Sequence, residues 1–287
     1  MQTFLSFASE QILATKWPLK DVAIVLPSQR AAVFMQRELS RQLEHPTFSP
    51  AFITIENLVL KSTGLEAETQ PALLFKLYEA YAASVKQADS FAEFSKWGQL
   101  LLADFNEVDR YLVDSEKLFN YLADVKRIEK WNLEAEPGEL ITNYLKFWQS
   151  LPAVYQSFKK TLLAEGRVHQ GLAYRLMAED IENISKQLKE QYQQLFFVGF
   201  NALNQAEEEI LLTLYEKDLA TYYWDVDTYY FQNEEHEAGQ FLRASRLVKR
   251  LQQRDAFYGL HSALNTHPQK IEVTAVSGNQ LQGVTAN

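Results

Sequence analysis

The sequence contains no cysteine, and only ten glycines and eight prolines occur in its 287 residues. The absence of cysteine excludes disulfides, zinc ribbons, iron–sulfur clusters and thiol nucleophiles from this chain. So few turn-forming residues argue against a loop-rich all-β fold and favour helices. No apolar run approaches the length of a membrane helix, and the first ten residues lack the basic and apolar regions of a signal peptide. We therefore expect a soluble cytoplasmic protein with no membrane contact.

Composition limits the possible partners. Hydrophobic residues make up 47% of the chain, which is enough to bury a substantial core. The formal net charge of −9 opposes indiscriminate nucleic-acid binding, because neutralising phosphates requires clustered lysine and arginine. That charge describes the whole chain, and an acidic protein can still carry a local basic face.

Strand and helix signals alternate at both ends of the chain. Residues 22–26 form an unbroken apolar run closed by Pro27, as in a strand buried on both faces of a parallel sheet. Ser28 is placed to cap the following helix. On that helix we expect a buried side of Ala31, Ala32, Phe34, Met35 and Leu39 and an outer side of Arg30, Gln36, Arg37 and Arg41. Further strands are predicted over 52–55, 195–198, 220–224 and 271–276, with helices over 56–64, 205–217 and 235–254.

The middle of the chain has helical periodicity throughout. Helices are predicted over 71–87, 90–109, 114–130, 139–165 and 170–193, and no strand is expected among them. The sequence therefore predicts an α/β fold with a mostly parallel sheet and a large all-helical insertion. The predicted divisions are 1–65 for the first α/β segment, 66–193 for the insertion and 194–287 for the second α/β segment. The abrupt end, without a terminating signal, suggests a piece of a longer protein.

Several segments together resemble a known family. They are residues 24–30, 52–56, 104–112, 198–204 and 223–230, with 236–239. In these segments the chain resembles the N-terminal region of AddB-like proteins of the Bacteroidetes type. Those proteins are inactivated superfamily I helicases joined to a C-terminal PD-(D/E)XK nuclease.

The resemblance implies a RecA-like, P-loop-NTPase-like sheet and a role in repairing DNA double-strand breaks. Ser28, Gln29, Arg30 and Thr54 match segments that touch single-stranded DNA, while Val198 and Gly199 stand where active helicases carry the acidic Walker B pair. The implied function is a noncatalytic scaffold that contacts single-stranded DNA and an AddA-like helicase partner, with any nuclease domain further downstream. We expect no cofactor and no metal.

The residues at the positions that the resemblance implies for nucleotide chemistry lack the groups for it. The Val198 side chain has no oxygen with which to hold magnesium. The first 20 residues contain no glycine, so they cannot form the glycine-rich turn whose amides cradle phosphates. This chain is therefore expected not to be an enzyme by itself.

Simpler interpretations compete with these. Ser28 and Arg30 could be an ordinary cap and a surface arginine, because every strand–helix unit has such a corner. A basic helix face could follow a DNA backbone, although a solvated helix exterior is the favoured interpretation. Its members are Arg243, Arg246, Lys249, Arg250 and Arg254.

Two rival functions remain open. Asp225 and Asp227 follow a predicted strand, where an open α/β sheet would bind a ligand, so a small-molecule or metal-dependent enzyme could use them. Their spacing matches no defined metal motif. The other rival is a protein-interaction scaffold without DNA contact.

The roles of Asp109 and of two histidines remain to be assigned. Asp109, with Arg110 and Tyr111, could form a buried polar latch, but a surface ion pair at the end of a helix is favoured. His45 and His169 have no partners at metal or nucleophile spacing. We expect both histidines to be ordinary surface or capping residues.

Overall fold

The computed structural model of the chain describes residues 2–131, 139–262 and 264. The strands are β1 (Val22–Leu26), β2 (Ala51–Thr54), β3 (Glu66–Ala67), β4 (Arg167–Val168), β5 (Gln194–Val198), β6 (Ala220–Asp227) and β7 (Tyr258–His261). The helices are α1 (Phe4–Leu13), α2 (Gln29–Gln42), α3 (Ile55–Thr63), α4 (Gln70–Ser84), α5 (Phe91–Arg110), α6 (Ser115–Trp131), α7 (Glu139–Ala164), α8 (Gln170–Glu179), α9 (Ile181–Gln191), α10 (Gln205–Glu216), α11 (Thr228–Gln232), α12 (Gln240–Ala244) and α13 (Arg246–Gln253).

A parallel sheet joins the two α/β segments of the chain. Its five strands have the order β2-β1-β5-β6-β7, and every neighbouring pair is parallel. Ile24 lies opposite Phe196, so the strands on either side of the long helical region are direct neighbours. The predicted α/β class with a mostly parallel sheet is confirmed. Strand β7 was not predicted, and the strand expected over 271–276 lies outside the described residues.

Side chains alternate between the two faces of the sheet. In β1, Ala23 and Val25 point into the larger core, with α3, α8 and α10, whereas Ile24 and Leu26 point into a smaller core with α1 and α2. In β5, Phe197 belongs to the first core and Phe196 to the second. Because both faces are covered, the middles of β1 and β5 are occupied by apolar side chains, which explains their unbroken apolar runs.

The helical region between β2 and β5 differs from the prediction in two ways. The helix predicted over 170–193 is two helices, α8 and α9, which meet at Asp180. Strands β3 and β4 form a two-stranded parallel ladder, with Glu66 opposite Arg167. Strand β3 lies just before the stretch 71–193 that was expected to be helical, and β4 lies inside it. The expectation that this stretch holds no strand is therefore wrong at β4, because a two-residue strand leaves no periodicity in the sequence.

The prediction of a single helix over 235–254 is also wrong. The structure has a 3-10 turn over Glu237–Gly239, followed by α12 and α13. The break falls at Ser245, whose hydroxyl accepts a hydrogen bond from the Val248 amide and caps α13. The same hydroxyl donates to Glu208 of α10 at 2.6 Å, a contact that fixes the break and that is invisible in local sequence.

A buried charged cluster ties the helical region together. Asp109 of α5 is fully buried and accepts hydrogen bonds of 2.5 Å from Arg175 Nε of α8 and from the Tyr155 hydroxyl of α7. His169 Nε2 lies 3.2 Å from its other oxygen. The favoured surface ion pair is therefore wrong for Asp109. His169 does cap α8, as expected, but it is buried and does not lie on the surface.

Ionisation of Asp109 depends on these partners. Burial alone would raise the pKa of Asp109, but the hydrogen bonds and charges of His169, Tyr155 and Arg175 outweigh it and lower that pKa. The same cluster raises the pKa of Tyr155, through burial and through the adjacent carboxylate. The folded protein therefore contains an ionised Asp109 at neutral pH, paired with the Arg175 guanidinium.

Asp109→Asn should lower the free energy of unfolding by about 3 kcal/mol at pH 7, because it removes the buried counter-charge of the Arg175 guanidinium and leaves only the half-exposed carboxylate of Glu179, 3.3 Å away. The pKa of Asp109 is lowered on folding, so its stabilising effect is present above the unfolded value of about 3.9 and is lost as the pH falls toward the folded pKa. The difference between wild type and variant should therefore shrink below about pH 4. Urea unfolding at several pH values measures both effects.

Asp104→Asn is the matched control, since Asp104 lies on the same helix, is exposed and has no part in the cluster. It should change stability little at pH 7. Equal stabilities of wild type and Asp109→Asn at pH 7 would show that the cluster does not stabilise the fold.

Candidate functional site

The candidate site lies at the carboxyl ends of β1 and β5. Helix α2, which follows β1, packs on one face of the sheet, whereas α10, which follows β5, packs on the other. The two connections therefore diverge and leave a crevice between neighbouring strands, which is the usual place for ligands in open α/β sheets. Residues 27–30 lie on one side of this crevice and residues 199–204 on the other.

The β1 side of the crevice is an exposed polar corner. Residues 27–30 are all exposed. Ser28 Oγ accepts a hydrogen bond of 3.2 Å from the Ala31 amide, so Ser28 is the N-cap of α2 as predicted. Gln29 and Arg30 form the first turn of α2, where the helix dipole favours an anion. No carboxylate of the described residues lies within 4 Å of the Arg30 guanidinium.

Thr54 belongs to the adjacent corner. It lies opposite Leu26 in the β1–β2 ladder, so the structure brings it next to the start of the residue 27–30 corner. Its side-chain oxygen accepts a 3.2 Å hydrogen bond from the Asn57 amide and caps α3. Only 7% of Thr54 is exposed, so its main contribution is to hold the corner in shape.

The β5 side of the crevice carries no charge at the end of the strand. Val198 is 1% exposed and packs in the smaller core with α1 and α2. Gly199 has a φ of +77°, a conformation that suits glycine, and a Cβ built there would lie 3.5 Å from the Phe4 ring of α1. The end of β5 is therefore formed by an apolar core residue and a left-handed glycine, and neither side chain offers a ligand for a metal ion.

Helix α2 differs from its predicted orientation at one residue. Ala32, Met35 and Leu39 are buried, as expected, but 46% of Phe34 is exposed and its ring lies 5.8 Å from the Arg30 guanidinium carbon. The prediction that Phe34 faces the core is therefore wrong. Residues 31–35 are all apolar, and five consecutive residues cannot all lie on one face of a helix. The face that packs against the sheet is the one that carries Ala32, Met35 and Leu39.

Asp225 and Asp227 meet a histidine that the sequence did not single out. His261 of β7 lies between them, with Nε2 3.0 Å from Asp225 and Nδ1 3.3 Å from Asp227. Asp227 also accepts hydrogen bonds from the amides of Tyr229 and Leu264. Burial opposes ionisation of Asp227, but the two amides and His261 outweigh it and lower its pKa.

These contacts favour a structural role for the Asp225–Asp227 corner. Both imidazole nitrogens of His261 face carboxylates, and both oxygens of Asp227 have partners. Within the described ranges, no group of three or more His, Asp and Glu side chains has the arrangement of a metal site. The pairing of β6 with β7 produces this cluster, and only a prediction of β7 from the sequence could have found it.

The basic residues of 243–254 are compensated only in part by their neighbours. Arg246 pairs with Glu208 at 3.0 Å and Glu209 at 2.9 Å, and Arg250 lies 3.7 Å from Glu216. Arg243 donates hydrogen bonds of 2.7 Å to the carbonyls of Tyr230 and His236. Exposed Lys249 and Arg254 have no carboxylate of the described residues within 4 Å. The break between α12 and α13 interrupts the face, which therefore keeps part of its positive charge but not as one continuous helix face.

Comparison with known proteins does not assign a family. The chain matches no protein-family model, and no curated protein matches it significantly. In the described part of the chain, no helix is both long enough and apolar enough to cross a bilayer.

Val198→Asp should lower the free energy of unfolding by roughly 3–5 kcal/mol, because it buries an unpaired carboxylate in an apolar core. The matched control is Val33→Asp on α2, where the side chain is 65% exposed and the change should cost little. Urea unfolding of both variants tests the comparison. Similar stabilities for the two variants would mean that the end of β5 can accept a carboxylate, contrary to the packing seen here.

Proposed function

We propose that this chain is a noncatalytic, helicase-like scaffold of the AddB-like type, acting in the repair of DNA double-strand breaks. Its sheet is a RecA-like domain that has kept its shape without nucleotide chemistry. It contacts single-stranded DNA at the corner of residues 28–30, which Thr54 supports, and it positions an AddA-like helicase partner. The sequence resemblance supports the repair role and the partner.

The observation that carries this proposal is the pairing of β1 with β5 across the helical insertion. The resemblance requires the segments near residues 24 and 196 to be neighbours in one sheet, and Ile24 and Phe196 are paired in register. The crevice beside this pair is bordered by the exposed polar corner on one side and by uncharged Val198 and Gly199 on the other. A phosphate backbone can approach the first side, while the second offers nothing to hold a metal–nucleotide complex.

Arg30 supplies the attraction in this corner. It is exposed, it has no carboxylate partner among the described residues, and it begins a helix whose N-terminal amides favour anions. The net charge of −9 makes the chain as a whole unattractive to DNA, so an exposed arginine at a helix start, without a carboxylate partner among the described residues, is a favourable place for a phosphate.

Arg30→Ala should weaken binding of a fluorescent oligo-dT strand several-fold, because one phosphate contact is lost. The salt dependence should fall with it: the slope of log K against log salt decreases in magnitude by about 0.7 for each phosphate contact removed from a single strand. Fluorescence anisotropy of the full chain at several low salt concentrations measures both quantities.

The matched control is Arg167→Ala, because Arg167 lies in the helical region and is already paired with Glu66 at 2.6 Å. It should bind the oligonucleotide as wild type does. A wild-type chain that binds no single strand at low salt would refute the DNA contact and favour the scaffold that binds only proteins.

A further inference from the structure

We infer that the DNA-contacting surface continues along the exposed side of α2, where Phe34 stacks on a base and Arg37 binds a second phosphate. This inference rests on the proposed function, because it extends the corner of residues 28–30. We call the set formed by Arg30, Val33, Phe34 and Arg37 the α2 stripe.

The α2 stripe is a single helix face. Its members are spaced i, i+3, i+4 and i+7, so they lie above one another on adjacent turns. Val33 is 65% exposed and Phe34 is 46% exposed. The core side of the same helix is already filled by Ala32, Met35 and Leu39. The fold therefore does not need these apolar side chains for its own core, and they are available to a ligand.

The two arginines of the α2 stripe have no carboxylate partner in the part of the chain that the structure describes. No carboxylate of the described residues lies within 4 Å of Arg30 or Arg37, whereas Arg41, one turn further on, approaches Glu38 at 3.5 Å. Arg30 and Arg37 can therefore attract an anionic ligand. Over residues 243–254, Lys249 and Arg254 also lack a carboxylate neighbour among the described residues, so the feature that distinguishes α2 is the exposed ring of Phe34 between its two arginines.

The spacing of the residues in the α2 stripe suits single-stranded DNA. Seven residues of helix separate the Cα atoms of Arg30 and Arg37 by about 10.5 Å, and Phe34 lies between them. The Arg30 guanidinium carbon lies over the Phe34 ring, 5.8 Å from its centre, so a base can stack on the other face of the ring while Arg30 binds the adjacent phosphate. Arginines on both sides of an exposed aromatic ring are the combination that binds single-stranded nucleic acid without sequence preference.

A protein partner fits the α2 stripe less well. A stable protein interface buries about 800 Å² on each side, whereas an aromatic side chain buries at most about 250 Å². The area of the exposed Val33 and Phe34 side chains is therefore much smaller than that of a stable protein interface. One aromatic ring is, however, large enough to stack on one base. The occupant that the stripe fits is a single nucleic-acid strand.

The test uses oligo-dT binding by the full chain with Phe34→Ala and Arg37→Ala. Phe34→Ala should bind about five-fold or more weakly, the lower end of the stacking effect, with an unchanged salt slope. Arg37→Ala should bind more weakly and also reduce the magnitude of the salt slope by about 0.7. Phe241→Ala is the matched control, because Phe241 is 65% exposed on α12 and should leave binding unchanged.

A direct readout of stacking comes from Phe34→Trp. This variant should retain binding, and its added tryptophan fluorescence should be quenched by oligo-dT relative to the signal of the wild type. A duplex of matched length should bind Phe34→Ala and wild type alike, since paired bases are not free to stack on the ring. Circular dichroism and urea unfolding of each variant show whether its fold is intact.

The outcomes separate this inference from the proposed function. If wild type binds and Arg30→Ala weakens binding, but Phe34→Ala and Arg37→Ala bind as wild type does, the stripe is refuted and the proposed function stands. If wild type does not bind the single strand at all, both fail. If Phe34→Ala lowers single-strand and duplex binding equally, the stacking role is overturned.

Discussion

The parallel pairing of β1 with β5 is the constraint on which the rest of the structure depends. It joins segments that lie on opposite sides of the helical insertion, with Val25 opposite Phe197. The insertion must therefore leave and re-enter the sheet at nearby points, and the β3–β4 ladder, which pairs Glu66 with Arg167, joins the start of the insertion to the segment that leads into α8. The same pairing sends α2 and α10 to opposite faces and so creates the crevice at the strand ends.

Burial on both faces explains where polar chemistry can occur in this fold. The residues of β1 and β5 are buried along their whole length, so a charge inside either strand would lie unpaired in a core. Polar groups appear where a strand ends and a helix begins, as at Ser28 and Thr54, or where they are paired inside the protein, as Gln194 is with the Thr221 hydroxyl at 2.9 Å. Inside the helical region, by contrast, Asp109 is tolerated because Arg175 and Tyr155 reach it from two other helices.

The sequence predicted those features that a local pattern determines. Short apolar stretches located β1, β2 and β5 to within a residue, and the cap at Ser28 followed from residue type and position, whereas the cap at Thr54 was not predicted because Thr54 was placed within the strand. The buried state of Asp109 could not be predicted, because its partners lie 46 and 66 residues away along the chain. Strand β7 was missed because its residues are largely exposed and lack a strand pattern, so the contacts of His261 were missed with it.

The two basic helix faces show why a charge pattern alone does not locate a binding surface. Arginines at helical spacing occur both on α2 and over residues 243–254. Over 243–254 the carboxylates of Glu208, Glu209 and Glu216 approach Arg246 and Arg250, and two backbone carbonyls accept hydrogen bonds from Arg243. These contacts hold α12 and α13 in place. The side of α2 that packs on the sheet is opposite to the side that carries Arg30 and Arg37, and neither arginine has a carboxylate neighbour among the described residues. An ion pair already made within the protein has little attraction left for a phosphate, so Arg30 and Arg37 are a stronger basis for a nucleic-acid contact than Arg246 and Arg250.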